Sequence, residues 1–348
     1  MKRYFEMIGL GFVLALGASI ASAQNAIEHG DDWPDWAYGL LAPLSPEDRM
    51  APPCPDDSRP IDCAYIGSVP PEDGVKRSLP GTDLTFTRNE AYFDYGPADW
   101  YPGDHPPMPP IVANGRQADG LRACALCHYP SGQGKMENGH VAGLPADYIL
   151  QQLDAFVNGT RRSADIRKAN TNEMAMIAAG MSEQELAEVA EYFSSMPFRQ
   201  MVRVIEAEEA PRVRVTSNGL MLPLPDEPMM PLGQRIIEIP DDAERTEMSR
   251  DPRGGFIVYA PLGSLAKGEE LVTSGAGRTI QCGLCHGPDQ TGIGPIPSIA
   301  GRTASYTMRQ LWDMKLGTRQ SPIMAPVVMN LSADDMLAIV AYLASLPP

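Results

Sequence analysis

The 348-residue sequence predicts a mainly α-helical chain in which one small domain occurs twice, preceded by an irregular proline-rich arm and interrupted by a small β-containing insert. Three observations predict it. The pentapeptide Cys124-Ala125-Leu126-Cys127-His128 recurs as Cys282-Gly283-Leu284-Cys285-His286. Similarity then continues at a constant offset of 158, with Gly143, Tyr148, Gln152, Leu153, Gly159, Thr160 and Arg161 matching Gly301, Tyr306, Gln310, Leu311, Gly317, Thr318 and Arg319. Each copy also closes on a segment that begins with a helix-capping pattern. A run of matches held at one register is a duplicated domain.

Lys2 and Arg3 precede an apolar run from Ile8 to Ile20, and Ala21-Ser22-Ala23 supplies a small-residue cleavage site. This is the layout of a secretory signal peptide over residues 1–23, removed after Ala23. The run is shorter than the roughly 20 apolar residues a spanning helix needs, so a periplasmic chain with no transmembrane segment after cleavage is expected. Residues 24–110 hold three of the four tryptophans and almost half of the prolines, with scarcely any helical periodicity. That mixture is too aromatic for disorder and predicts an irregular arm wrapped over the rest. Cys54 and Cys63 lie in it, and export permits them to pair as a disulfide. The alternatives are that one of them is a ligand to haem iron or a redox-active thiol.

Residues 111–197 form the first copy. A helix is predicted over about 146–158, closed by Gly159 at a C′ position. A second follows the capping box of Ser182 and Glu185, with Leu186, Val189, Ala190 and Phe193 on one face and Pro197 as its stop. Eight additional residues near Ser163 to Asn172, absent from the second copy, are expected in a loop. Residues 198–260 contain alternating stretches at 201–205, 213–215, 236–239 and 256–259, which read as short strands between proline turns. In the second copy, residues 261–348, the helices repeat over about 304–316, closed by Gly317, and after Ser332 and Asp335, with Met336, Ile339, Val340 and Leu343 apolar.

C-x-x-C-H is the attachment signature of c-type haem. The two thiols form thioethers with the vinyl groups and the histidine is directed at iron. Two covalent haem c groups are therefore expected, on Cys124, Cys127 and His128 and on Cys282, Cys285 and His286. A zinc ribbon built from the two C-x-x-C pairs is the competing reading, but ribbons space their halves far closer than 158 positions. A low-spin haem commonly takes a methionine opposite the histidine. Met324 lies seven residues before Leu331 and Met174 seven before Met181, each ahead of its helix cap, so these two are equivalent and are the expected sixth ligands. Among nineteen methionines most are filler, and Met176, Met181 and Met329 lack a counterpart at the same register. His29, His105 and Met108 of the arm could supply iron, but they are expected to be solvent-exposed or to serve packing instead.

The formal charge of −16 argues against nucleic acid as a partner, since phosphate binding calls for the opposite sign. It suits encounter with a basic redox protein. No motif for hydrolysis, phosphate or nicotinamide binding stands out.

On these residues the chain resembles the tandem class I dihaem cytochromes c, similar in layout to cytochrome c4, over about 111–196 and 261–348. The resemblance implies two class I cytochrome c domains in tandem. It implies that Pro297, in a P-x-x-x-G element with Gly301, accepts a hydrogen bond from His286, and that Tyr148 and Tyr306 lie near the haem edge or propionates. Gly139 stands where Pro297 stands in the second copy, which predicts unequal haem potentials. The expected function is electron transfer between a dehydrogenase or quinol-oxidising complex and another cytochrome or an oxidase, a carrier rather than an enzyme. The alternatives are a dihaem redox enzyme of thiosulfate dehydrogenase or peroxidase type, in which Cys54 or Cys63 would reach the first haem, and a fixed cytochrome subunit of a larger dehydrogenase.

Overall fold

The computed structural model describes residues 32–39, 73–165, 168–216 and 219–348. The signal segment, His29, Cys54 and Cys63 lie outside the described residues. The first copy consists of α1 (Cys124–His128), α2 (Ala146–Val157), α3 (Ala169–Gly180) and α4 (Glu183–Ser194). The insert contributes β1 (Val202–Glu206), β2 (Ile237–Pro240) and β3 (Phe256–Ala260). The second copy consists of α5 (Ser264–Ser274), α6 (Gly283–His286), α7 (Ala304–Lys315) and α8 (Ala333–Ser345).

Both capping boxes form. Ser182 accepts from the Glu185 amide while the Glu185 carboxylate accepts from the Ser182 amide, and Ser332 with Asp335 repeats the exchange. Two orphan N–H groups are thereby satisfied at each helix start, contributing about 1 kcal/mol per cap. Gly159 and Gly317 both adopt positive φ after α2 and α7.

Helix α5 is not legible in the sequence, because Lys267-Gly268-Glu269-Glu270 interrupts its apolar pattern. Its reason is tertiary. A Cβ on Gly268 would stand 2.1 Å from the Ala338 carbonyl of α8, so glycine is what lets the two backbones cross. In the first copy the corresponding place holds only the turn Pro110–Ala113.

Strand β3 lies between β1, which it pairs in parallel, and β2, which it pairs antiparallel. Phe256, Val258 and Ala260 alternate inward along it. The insert shares one core with the second copy: Leu220, Met221, Ile236 and Ile237 join Met308, Trp312 and Leu337. The arm covers both halves. Trp33 meets Trp312 edge-on at 5.9 Å, and Tyr38 donates to Asp313 at 2.7 Å. Residues 73–110 build a separate cluster of Leu79, Ala91, Ala98, Trp100 and Tyr101, tied to the insert by Trp100 Nε1 donating to the Ser249 carbonyl at 2.7 Å.

One expectation changes. Within the additional residues of the first copy, where the sequence predicts a loop through Asn172, Ala169 already opens α3, which carries Met174. The stretch 169–180 is free of proline and rich in alanine and methionine, good helix formers. Its equivalent in the second copy is cut by Pro322 and Pro326, so Met324 precedes a single turn, Ala325–Val328.

Candidate functional site

The two C-x-x-C-H segments fold alike. In each, the histidine closes a short helix and its Nδ1 donates to a carbonyl eleven positions on: His128 to Gly139 at 2.7 Å and His286 to Pro297 at 2.8 Å. The Gly134 and Gly292 amides donate back to the His128 and His286 carbonyls at 3.0 and 2.7 Å. Both are glycines at positive φ for a steric reason: a Cβ would stand 2.7 Å from the Gly139 oxygen in one case and 2.6 Å from the Ile296 oxygen in the other. With Nδ1 spent on a carbonyl, Nε2 is the nitrogen left for a metal. Burial holds both imidazoles below their ordinary pKa, which keeps them in the neutral, ligating form. Burial likewise pushes the thiols up, Cys124 to about 12 and Cys282 to about 11. Among the described residues no cluster of three or more His, Cys, Asp or Glu side chains could hold a metal ion, so the two Cys pairs do not converge as a zinc ribbon would require.

Met174, on α3, packs against the core of the first copy, and Met324 against that of the second. Met181 is a core residue at 8% exposure and Met329 projects into solvent at 63%. His105 is engaged by Asp99 at 3.1 Å and by the Pro106 carbonyl, and Met108 packs on the first core.

Tyr148 and Tyr306 are brought together at a seam that sequence reasoning did not foresee. Arg161 donates to Gln152 of its own copy and to Tyr306 and Gln310 of the other, all at 2.9–3.0 Å. Arg319 mirrors it, donating to Gln310, Tyr148 and Gln152 at 2.7–2.9 Å. Arg161 and Arg319 also form an antiparallel backbone bridge, flanked by Arg162 N to Thr318 O at 2.8 Å and Gln320 N to Thr160 O at 2.7 Å. The signal was present as the repeated Gly-Thr-Arg triplet, but nothing in it says that the two copies meet there.

Arg302, where the first copy has Leu144, joins the seam. Its Nε donates to the Ser298 carbonyl at 2.7 Å and one Nη to the His140 carbonyl at 2.9 Å, while Nη2 is buried without a partner. Burial lowers its pKa to about 10. These guanidinium groups meet phenols, amides, carbonyls and, for Arg161 and Arg302, the faces of Phe156 and Phe198, but no carboxylate ion-pairs with them among the described residues, so much of their positive charge is uncompensated. Haem brings two carboxylates per molecule, so Arg161, Arg302 and Arg319 fit its propionates, and the site as a whole fits haem.

The surroundings of the two motifs differ. Ala125 is 1% exposed beneath Arg250 of the insert, whose guanidinium donates to the Ala91 and Ala125 carbonyls at 3.1 and 3.4 Å and lies 5.0 Å from the Tyr129 ring. Leu284, two residues beyond Cys282, is 67% exposed, and Ile280, Ile293, Ile323 and Met329 are exposed with it.

Two hydrogen-bonded histidines in repeated C-x-x-C-H helices, each beside a cysteine pair and backed by buried arginines, define a protein with two haem-binding domains. The family profile for cytochrome c matches residues 112–197 and 265–347. The thiosulfate dehydrogenase electron acceptor of Stutzerimonas stutzeri is 36% identical over 95 residues, 26% of this chain and 44% of that protein. Cytochrome c4 of Pseudomonas aeruginosa is 36% identical over 88 residues, 25% of this chain and 42% of that one. Cytochrome c-554(548) of Halomonas halodenitrificans is 31% identical over 87 residues, 24% of this chain and 96% of that one. The matched stretch thus spans less than half the length of the first two relatives and nearly all of the third. The chain belongs to the cytochrome c family, with the domain present twice, and carries two covalently attached haem c groups. Among the described residues no helix is long and apolar enough to cross a membrane.

Proposed function

We propose that the chain is a periplasmic electron carrier. Cys124 with Cys127 and Cys282 with Cys285 form the thioethers, His128 and His286 are the proximal ligands, and Met174 and Met324 lie opposite. In this reading residues 1–23 are the leader, 24–110 the arm, 111–197 and 261–348 the haem domains and 198–260 the insert, with Cys54 and Cys63 paired. Haem c supplies iron that cycles between ferric and ferrous states. The residues of the chain fix the imidazole tautomer, neutralise carboxylates at the seam and keep water from the first site. The observation that carries the reading is the pair of matching imidazole-to-carbonyl hydrogen bonds, His128 to Gly139 and His286 to Pro297.

Redox titration of Met324→His tests it. The second midpoint is expected to fall, on the order of 100 mV within the roughly 0.8 V that axial ligation spans, while the first stays in place. Equal movement of both midpoints, or of neither, defeats the ligand assignment.

A narrower reading takes thiosulfate dehydrogenase as the donor, favoured by the likeness to an acceptor of that enzyme. Reduction of the oxidised chain by such a dehydrogenase and thiosulfate, against a control without enzyme, checks it.

A further inference from the structure

The two proximal histidines are held by unlike devices. Pro297 presents its carbonyl to His286 from a backbone whose φ the ring fixes. Gly139 has no such restraint, and the space a side chain would need is filled by the other copy: a Cβ there would stand 3.0 Å from the Tyr306 hydroxyl oxygen and 3.2 Å from the ring carbon that bears it. The peptide that carries the Gly139 carbonyl ends at the Cα of His140. That residue is 2% exposed, its Nε2 lies 3.0 Å from Thr303 Oγ1 of the second copy, its carbonyl accepts from Arg302, and its ring meets Phe198 at 5.5 Å. The same Arg302 holds the Ser298 carbonyl. His140 and Ser298 are equivalent in the repeat, each the residue after the carbonyl that holds a proximal histidine.

We infer that His140, anchored across the seam on Thr303, is a positioning residue for the first haem: it does for the Gly139 carbonyl what the proline ring does for Pro297. The first haem's ligand field is then set partly by the second copy, and the second haem's is self-contained. This rests on the ligation proposed above. Loosening the anchor weakens the hydrogen bond to His128 Nδ1, makes the imidazole a poorer donor to iron, and favours the reduced state. By reciprocity, reduction of the first haem weakens the hold of the copies on each other by the same factor.

The test is a redox titration of the holoprotein carrying Thr303→Val, Thr303→Ser or His140→Gln, each also combined with Met324→His to mark the second midpoint. Thr303→Val is expected to raise the first midpoint by up to about tenfold in its redox equilibrium, ~59 mV for one electron, and to speed exchange of the His128 Nδ1 proton. Thr303→Ser and His140→Gln, which keep a polar partner, are expected to stay near wild type. The second midpoint should move less than about twofold, a small part of that tenfold step. Two low-spin haems whose midpoints ignore Thr303→Val, or shift together, overturn the inference and leave the carrier standing. A haem count below two in the wild type, or a second midpoint deaf to Met324→His, overturns the ligation on which it rests.

Discussion

The first haem motif lies beneath the arm and the insert, with Arg250 closing over Ala125, whereas the second presents Leu284 and Cys285 to solvent. The repeat that builds the two sites is the same, down to the histidine, the glycine behind it and the tyrosine on the following helix. Their difference in exposure comes from what lies outside the repeat, and their difference in the carbonyl behind each histidine, Gly139 or Pro297, from within it. Duplication supplies two related sockets, and the added segments cover one and leave the other open. An exposed apolar surround suits contact with a redox partner, and a covered site suits electrons that arrive through the protein.

The strongest way to break the comparison is to remove one attachment point. Cys127→Ala is expected to leave the first haem poorly attached while the second remains, so haem staining after denaturation and mass analysis should report about one covalent haem per chain. Two retained haems would refute separate sockets. The cover itself can be opened next. Arg250→Ala deletes two hydrogen bonds and the contact with Tyr129, and amide exchange over 124–128 should quicken about tenfold, a loss of roughly 1.4 kcal/mol in local opening, with 282–286 unaffected. Equal change in both segments would show that the cover acts on the whole fold.

A pH dependence centred on Asp313 of the second copy gives a third test. Asp313 accepts from Tyr38 of the arm and from the Ala164 amide, and burial raises its pKa to about 6. Its counterpart in the first copy is Ala155. The folded value lies above the unfolded one, so the native state holds the extra proton between about pH 4 and 6 and loses stability as the pH rises through that window. Relative to Asp313→Asn, wild type should lose about 2 to 3 kcal/mol between pH 4 and 7. A flat difference in chemical denaturation across that range would mean that Asp313 is ionised throughout.

Much of this was legible because it is local. The C-x-x-C-H motifs, both capping boxes and the glycines after α2 and α7 are short-range signals, and the structure places each where the sequence expected it. Equivalence of Met174 and Met324 followed from register, but the helix around Met174 did not, since an insertion was read as a loop where proline is merely absent. Helix α5 was invisible because its glycine answers to Ala338, seventy residues away. Arg302 and Arg250 were missed for the same reason: a guanidinium that closes a gap between domains leaves no periodic trace. Gly139 was legible as a departure, and only the Tyr306 hydroxyl explains it.

The crossed arginines carry one more consequence. Arg161 and Arg319 each donate to the tyrosine and glutamine of the other copy, so the centre of the seam is reciprocal, whereas its flank, built by Arg302, His140 and Thr303, is not. The insert, whose core is continuous with that of the second copy, keeps the two halves of this cross in one chain, at an effective concentration of about millimolar as for a short tether.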